Sequence, residues 1–347
     1  MSTPPPTISV IVPCYNYGHF LEGCVASVLA QEGVAVRVLI LDDRSTDASA
    51  DVAERVAGAD DRIELRVHTT NMGFVGTANE GLDWARGDYV LILSADDLLA
   101  PGALRRAATV LERQTNIGMV YGRAVYAQEG RPLPTPSARR LGTGVWSGGD
   151  WVRLRCRAGH NCVSAPTAVV RNSVQHEVGG YDPACRHAHD LNMWLRIAAV
   201  SDVAHVRAHQ AIYRVHAASL SHSLEGPLVD LRERRIAFEA FFATGASGLD
   251  RALPLRAVAA RELARQALWL ASRTIDRGEE GPLTKEFIDF ALDTYPNSRG
   301  LREWRGLALR HRIGSGRSRF FPPFLVTGAA HRWRNRIGRS LLDLRGV

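Results

Sequence analysis

Lysine is almost absent from this 347-residue chain: Lys285 stands alone against 42 arginines. Cysteine is scarce and odd in number (Cys14, Cys24, Cys156, Cys162, Cys185), and no two fall in a C-x-x-C spacing. That excludes both a complete disulfide framework and a zinc knuckle, and it suits a reducing cytosol. No run approaches the roughly 18 consecutive apolar residues of a membrane span. The opening MSTPPPT lacks the basic-then-apolar pattern of a secretory signal. Any membrane contact is therefore expected to be peripheral, on the inner face of the cell membrane. Internal repeats are also missing. With 46% hydrophobic and 23% charged residues, the composition excludes a disordered or fibrous chain and fits one large domain or two modest ones.

The formal charge of +7 is unevenly spread. Residues 299–347 hold twelve arginines against Glu303 and Asp343, a net of +10, which leaves −3 for residues 1–298. A mildly acidic body thus carries a strongly basic end, which points to an anionic partner for the tail or to a solvated face.

Over the first 126 residues, strand and helix patterns alternate. Strands are expected at Ile8 to Val12, Val36 to Leu41, Ile63 to Val67, Tyr89 to Leu93 and Met119 to Tyr126. Helices are expected between them, one capped by Ser45-Thr46-Asp47 and one opened by Pro101. Such βαβα alternation predicts an α/β fold, a mostly parallel sheet with helices on both faces. Residues 130–149 read as a loop rich in Pro, Gly, Ser and Arg, followed by a helix from about Asp190 to Val200 and one or two strands from Val203 to Val215. The pattern is helical after Pro227, so a catalytic unit is expected over residues 1–225 (halves at about 7–126 and 127–225) and a helical extension over 226–347.

Ligands of such sheets sit beyond the carboxyl ends of the strands. The residues there are Pro13-Cys14-Tyr15-Asn16, Asp42-Asp43 and Ser94-Ala95-Asp96-Asp97. Two acidic pairs at one sheet edge repel unless a cation or donors lie between them, and carboxylates suit Mg²⁺ or Mn²⁺. Asp96-Asp97 is equally suited to capping the helix ahead of Pro101.

ISVIVPCYN, LILDDRSTD, the glycine-asparagine block Asn71, Gly73, Ala78, Asn79, Gly81, and GDYVLILSADD resemble the nucleotide-binding half of the family 2 inverting glycosyltransferases with the GT-A fold. The resemblance continues through APTAVVRNSVQHEVGGYDP, HDLNMWLRIA and YRVHAASLS, covering about residues 7–225. It implies transfer from a nucleotide-sugar, such as a UDP-sugar, to a glycan or lipid-linked acceptor in polysaccharide biosynthesis. Pro13, Tyr15, Asn16 and Asn71 would border the nucleotide, Asp43 would accept from a ring N–H of the base, and Asp96 would touch ribose or metal-bound water. Asp97 and His216 would hold Mn²⁺ or Mg²⁺, and Arg214 would neutralise the leaving group. Ser94 stands where a D-x-D-D pattern often has its first aspartate. Asp190 would be the general base, with Trp194 packing its helix against the acceptor site; capping that helix is a second use of Asp190.

A catalytically silent nucleotide-sugar-binding module is the rival that Ser94 favours. Twelve arginines also suit nucleic acid, but they alternate with Trp304, Leu307, Phe320, Phe324 and Trp333, which fits the interface of an anionic membrane better.

Overall fold

The computed structural model describes residues 4–137, 142–217, 226–249 and 252–320. Ser219 and Ser221 of the YRVHAASLS block, the expected boundary at 225 and residues 321–347 of the arginine-rich end lie outside the described residues.

The chain opens as an alternating series: β1 (Thr7–Cys14), α1 (Gly18–Leu29), β2 (Ala35–Asp42), α2 (Ser49–Ala57), β3 (Ile63–Val67), α3 (Gly73–Trp84) and β4 (Tyr89–Ile92). β5 (Leu98–Leu99), α4 (Ala103–Arg113), β6 (Ile117–Gln128), β7 (Thr143–Trp146) and α5 (Gly148–Ala158) follow. β8 (Val169–Arg171), α6 (Asn172–Val178), α7 (His189–Val200) and β9 (Asp202–Val215) complete the sheet region. The strand order is β3-β2-β1-β4-β8-β6-β9-β5, with β7 paired to β9. β1, β2, β3, β4, β6 and β9 share one direction, and the short β5, β7 and β8 run against it. The sheet is mostly parallel, as the βαβα pattern implies.

β1 turns Ile8, Val10 and Val12 to one face and Ile11 to the other; β2 divides Val38 and Ile40 from Leu39 and Leu41 in the same way. Both faces are covered, which is why these strands read as unbroken apolar runs. α1, α2 and α4 cover the first face through Leu21, Val25, Ala53 and Leu104. The second face packs α3, α5 and α7, and its core runs on without a break into α8 (Pro227–Ala240), α9 (Ala252–Arg277), α10 (Pro282–Thr294) and α11 (Arg302–Ile313). Trp151, Trp194 and Leu195 share that cluster with Leu231, Phe238, Leu268, Phe287 and Leu307. Each fully buried side chain of this kind contributes about 1.5–3 kcal/mol, so the helical extension is welded to the sheet region.

Several local expectations change. Pro101 does not open α4: Gly102 adopts a left-handed conformation (φ 69°) and the helix starts at Ala103. None of Ser45, Thr46 and Asp47 is the N-cap residue of α2, which begins at Ser49 behind Ala48. Asp47 instead accepts from the Ser49 N–H (2.9 Å) and the Gly18 N–H (3.3 Å), tying the starts of α1 and α2 together. A short strand, β7, lies within the supposed loop because it pairs with β9, a partner about 60 residues away that local patterning cannot reveal.

No helix among the described residues is long and apolar enough to cross a membrane. The described start of the basic tail is packed rather than free: Leu307 is buried, and Arg310 donates to Asp276 at 2.9 Å.

α3 can lie close to β1 only because position 81 lacks a side chain; a Cβ there would overlap Ile11. Gly81→Ala is expected to cost about 1–3 kcal/mol in urea denaturation. Combined with Ile11→Ala, which alone removes about 2–5 kcal/mol, it should lose clearly less than the sum, because the two groups compete for one space.

Candidate active site

The three loops beyond the carboxyl ends of β1, β2 and β4 border the crevice that such sheets offer to ligands, and hydrogen bonds tie them to one another and to the end of β9. β1 and β2 are in register from Thr7↔Ala35 to Cys14↔Asp42, so the residues after them emerge side by side. Asn16 takes a left-handed conformation (φ 58°), as does Arg44 (φ 63°). Asn16 accepts from the Thr46 N–H at 2.7 Å, and its own N–H donates to Ser45 Oγ at 2.9 Å, which locks the first loop to the second. Pro13 is buried and its carbonyl accepts from the Ala95 N–H at 3.3 Å, whereas Tyr15 is 45% exposed beside it.

Asp43 is 4% exposed and caps a helix from a distance. Its carboxylate accepts from the Met72 N–H (2.7 Å) and the Gly73 N–H (2.8 Å), two of the free donors at the start of α3. His68, which links Asp43 (2.9 Å) to Glu80 (3.0 Å), is a member of the site that the sequence did not single out. Its signal was its place directly after β3. Asn71 donates to the Asp43 carbonyl (3.1 Å) and accepts from the Gly73 N–H (3.1 Å). Asn16 and Asn71 therefore use their side chains on the loops that shape the crevice.

At β4 the S-A-D-D turn is held by the end of β9. Asp97, 3% exposed, accepts from the Arg214 N–H at 2.9 Å. The Arg214 guanidinium donates to the Asp96 carbonyl (2.9 Å) and lies 4.7 Å above the Phe20 ring. His216 Nε2 meets the Asp96 carboxylate at 3.1 Å, with its ring edge-on to Tyr17 (5.4 Å) and tilted against Phe20 (5.1 Å). Burial pushes both carboxyls above the usual carboxylate range, and Asp97 is pushed further by the neighbouring Asp96 charge. Burial, then the Asp96 charge, raises the Tyr17 phenol as well.

Among the described residues no three carboxylate, imidazole or thiol groups converge into a metal cage. The donor chemistry nonetheless fits a hard divalent cation, which typically takes one or two carboxylates and completes its shell with phosphates and water. Two buried neighbouring carboxyls, both pushed toward protonation, form a place where added positive charge is favoured.

Asp190 lies in the first turn of α7, where the helix N–H groups favour a carboxylate. It accepts from Tyr181 Oη at 3.3 Å, and His189 Nε2 stands 3.6 Å away. Tyr181 is itself gripped by Asn79: its N–H donates to Asn79 Oδ1 (2.6 Å), and its carbonyl accepts from Asn79 Nδ2 (2.9 Å). Gly180 permits this grip, since a Cβ there would press on the Asn79 amide. Asn79 thus orients Asp190 from α3, through a contact that spans 102 residues. Trp194, expected to pack this helix against an acceptor site, is a core residue. It is 4% exposed in the core, with its indole N–H unpartnered, because α7 turns that side toward α5 and α8.

Residues 9–164 match the family model described as glycosyl transferase family 2. A Mycobacterium tuberculosis relative, uncharacterized protein MT1568, is 30% identical over 222 residues, 62% of this chain and 68% of its own length. The chain belongs to glycosyltransferase family 2. Other family relatives are the uncharacterized glycosyltransferase YibD of Escherichia coli (31% over 149 residues, 42% of this chain) and the putative teichuronic acid biosynthesis glycosyltransferase TuaG of Bacillus subtilis (32% over 128 residues, 37% of this chain). This chain spans 43% of YibD and 51% of TuaG. Among solved structures, Staphylococcus aureus TarS 1-349 in complex with UDP matches with a TM-score of 0.57 at 16% identity, over 86% of this chain and 91% of that one. Mannosyltransferase PcManGT from Pyrobaculum calidifontis, in complex with GDP-Man and Mn²⁺, matches with a TM-score of 0.55 at 17% identity, over 99% and 85%. Both share the GT-A fold with this family 2 chain.

Asn79→Ala should destabilise the protein by about 1–3 kcal/mol in urea denaturation, by leaving the Tyr181 N–H and carbonyl short of partners. Asn79→Asp, which keeps one of the two bonds, should fall between that variant and the wild type.

Proposed function

We propose that this chain transfers a sugar from a nucleotide-sugar, a UDP-sugar, to an acceptor hydroxyl in glycan or polysaccharide assembly, with inversion at the anomeric carbon. The observation that carries this reading is the convergence of Asp96, Asp97, Arg214 and His216 at the strand ends that also present Tyr15 and Asp43. A pair of buried carboxyls with an arginine and an imidazole suits a diphosphate and its counter-ion, and family membership supports the same use.

In this reading the nucleotide base lies against the exposed Tyr15, and Asp43, whose Oδ2 already accepts from the Gly73 N–H, also accepts from a ring N–H. Asp96 takes the ribose side. A Mn²⁺ or Mg²⁺ ion held by Asp97 and His216 supplies positive charge to the departing diphosphate when bound. Arg214, fixed between the Asp96 carbonyl and Phe20, offers a permanent charge to the same group. Asp190 removes the proton from the acceptor hydroxyl as its oxygen forms a bond to the anomeric carbon. The bond from that carbon to the diphosphate oxygen breaks on the opposite face, its electron pair leaving with the diphosphate. From an α-linked donor this gives a β-glycosidic product. Tyr181 steadies the Asp190 carboxylate by its hydrogen bond.

A screen of nucleotide-sugars for hydrolysis, with and without Mn²⁺, is expected to single out one UDP-sugar. Asp190→Asn should lower its turnover by about 10²–10⁴-fold with donor binding little changed; near-wild-type turnover would sink the assignment. Exhaustive chelation is expected to abolish turnover, and Mn²⁺ to restore it in the wild type but not in Asp97→Asn. Full activity after chelation would remove Asp97 and His216 from their metal-holding roles.

A further inference from the structure

A cavity of about 420 Å³ opens beside Asp190. One wall is α7 and the segment before it, with His187 and Asp190; the other is α8, with Asp230 and Arg234, and His160 and Asn161 also line it. α8, like α7, lies beyond the 9–164 stretch that the family model matches. It is bound firmly to the catalytic half. Glu233 of α8 accepts from the His187 N–H at 2.9 Å, three residues before Asp190, and Asn192 donates to the Ala237 carbonyl at 3.2 Å.

The charge of this cavity is set by groups whose hydrogen bonds are already engaged. Arg234 donates to the Gly159 carbonyl (2.6 Å), to Gln266 Oε1 (2.8 Å) and to Asp230 Oδ2 (2.6 Å), and its side chain is only 12% exposed. Its cationic fork is therefore committed to the protein, and Asp230 cancels its charge. Burial holds the His160 imidazole below its ordinary pKa, which favours its uncharged form at neutral pH. Two carboxylates face one guanidinium, so the lining has an excess of negative charge. The Asp230 side chain, 45% exposed, turns acceptor capacity toward the space.

We propose that α8 selects the acceptor: the cavity between Asp190 and the Asp230–Arg234 pair takes an uncharged sugar ring through its hydroxyls and rejects sugars that carry carboxylate or phosphate. This rests on the reading of Asp190 as the base, which places the acceptor hydroxyl at that carboxylate. Asp230 then acts as a specificity-determining residue, accepting from sugar hydroxyls and repelling anions, with no part in the proton transfer.

The test uses two probes that differ only at one carbon, methyl β-D-glucopyranoside and methyl β-D-glucuronide, with saturation-transfer NMR on the full chain. The wild type is expected to bind the neutral glycoside roughly tenfold better than the anionic one. In Asp230→Asn, which keeps a hydrogen-bonding amide beside Arg234 but removes the charge, the ratio should fall to within about threefold. Asp230→Ser serves as a second variant should the first melt early, with the same expected ratio. Equal binding of the two glycosides by the wild type, no detectable binding of the glucopyranoside, or a ratio unmoved in folded Asp230 variants would each overturn the proposal. Failure of the base assignment is read separately, from donor hydrolysis by Asp190→Asn.

Discussion

Two adjacent carboxyl groups, Asp96 and Asp97, are held almost out of water at the end of β4, and the surrounding crevice is arranged around that cost. Burial of a like-charged pair is unfavourable unless donors and cations answer it. The answer comes from the end of β9 and the residue that follows it, more than 115 positions along the chain. Arg214 contributes its backbone N–H to one carboxyl and its guanidinium to the backbone of the other. His216 meets the Asp96 carboxylate directly. β9 reaches this point because it runs parallel to β6 along its length and pairs with β5 immediately after Asp97. The sheet's far edge is thus tied to the segment after β4 by electrostatics as well as by ladder hydrogen bonds.

A second chain of dependence begins at Asp43. By accepting the first N–H groups of α3 it fixes the start of that helix, and with it Phe74 and Asn79. Phe74 packs at a tilt against His189 (4.7 Å), and Asn79 grips Tyr181, which holds Asp190. The residue proposed to read the base and the residue proposed to take the proton are therefore joined through one helix. Each small or polar residue of the A-x-N-x-G block serves the packing, since Ala78 and Gly81 bring α3 close to β1 while Asn79 braces the second half. These residues need not touch a ligand to matter to the site.

The helices after residue 226 are part of the same construction. They extend the core of the second sheet face, supply one wall of the cavity beside Asp190 and anchor the segment that precedes it. The basic character of the C-terminal end is partly used inside the protein, as the Arg310–Asp276 pair shows.

Much of this was legible in the residues alone. Unbroken apolar runs marked the buried strands, and the polar residues after them marked the crevice, because strand and helix periods of about 2.0 and 3.6 residues are local properties. Motif order over residues 7–225 carried the family. What the residues could not reveal was which polar group answers which. Tyr15, Asn16, Asp43 and Asn71 look alike as loop residues, yet only packing leaves Tyr15 exposed and commits Asn16 and Asn71 to the loop that follows β2. The burial of Trp194 where α7 meets α5 and α8 is likewise decided by packing. Fold class, the strand-end acids and the Asp190 helix thus follow from residue order, through patterns that a few neighbouring positions set. The β9 clamp on Asp96 and Asp97, the Asn79–Tyr181–Asp190 support and the α8 wall exist only in the folded chain, because each joins groups many residues apart whose meeting depends on how whole elements pack.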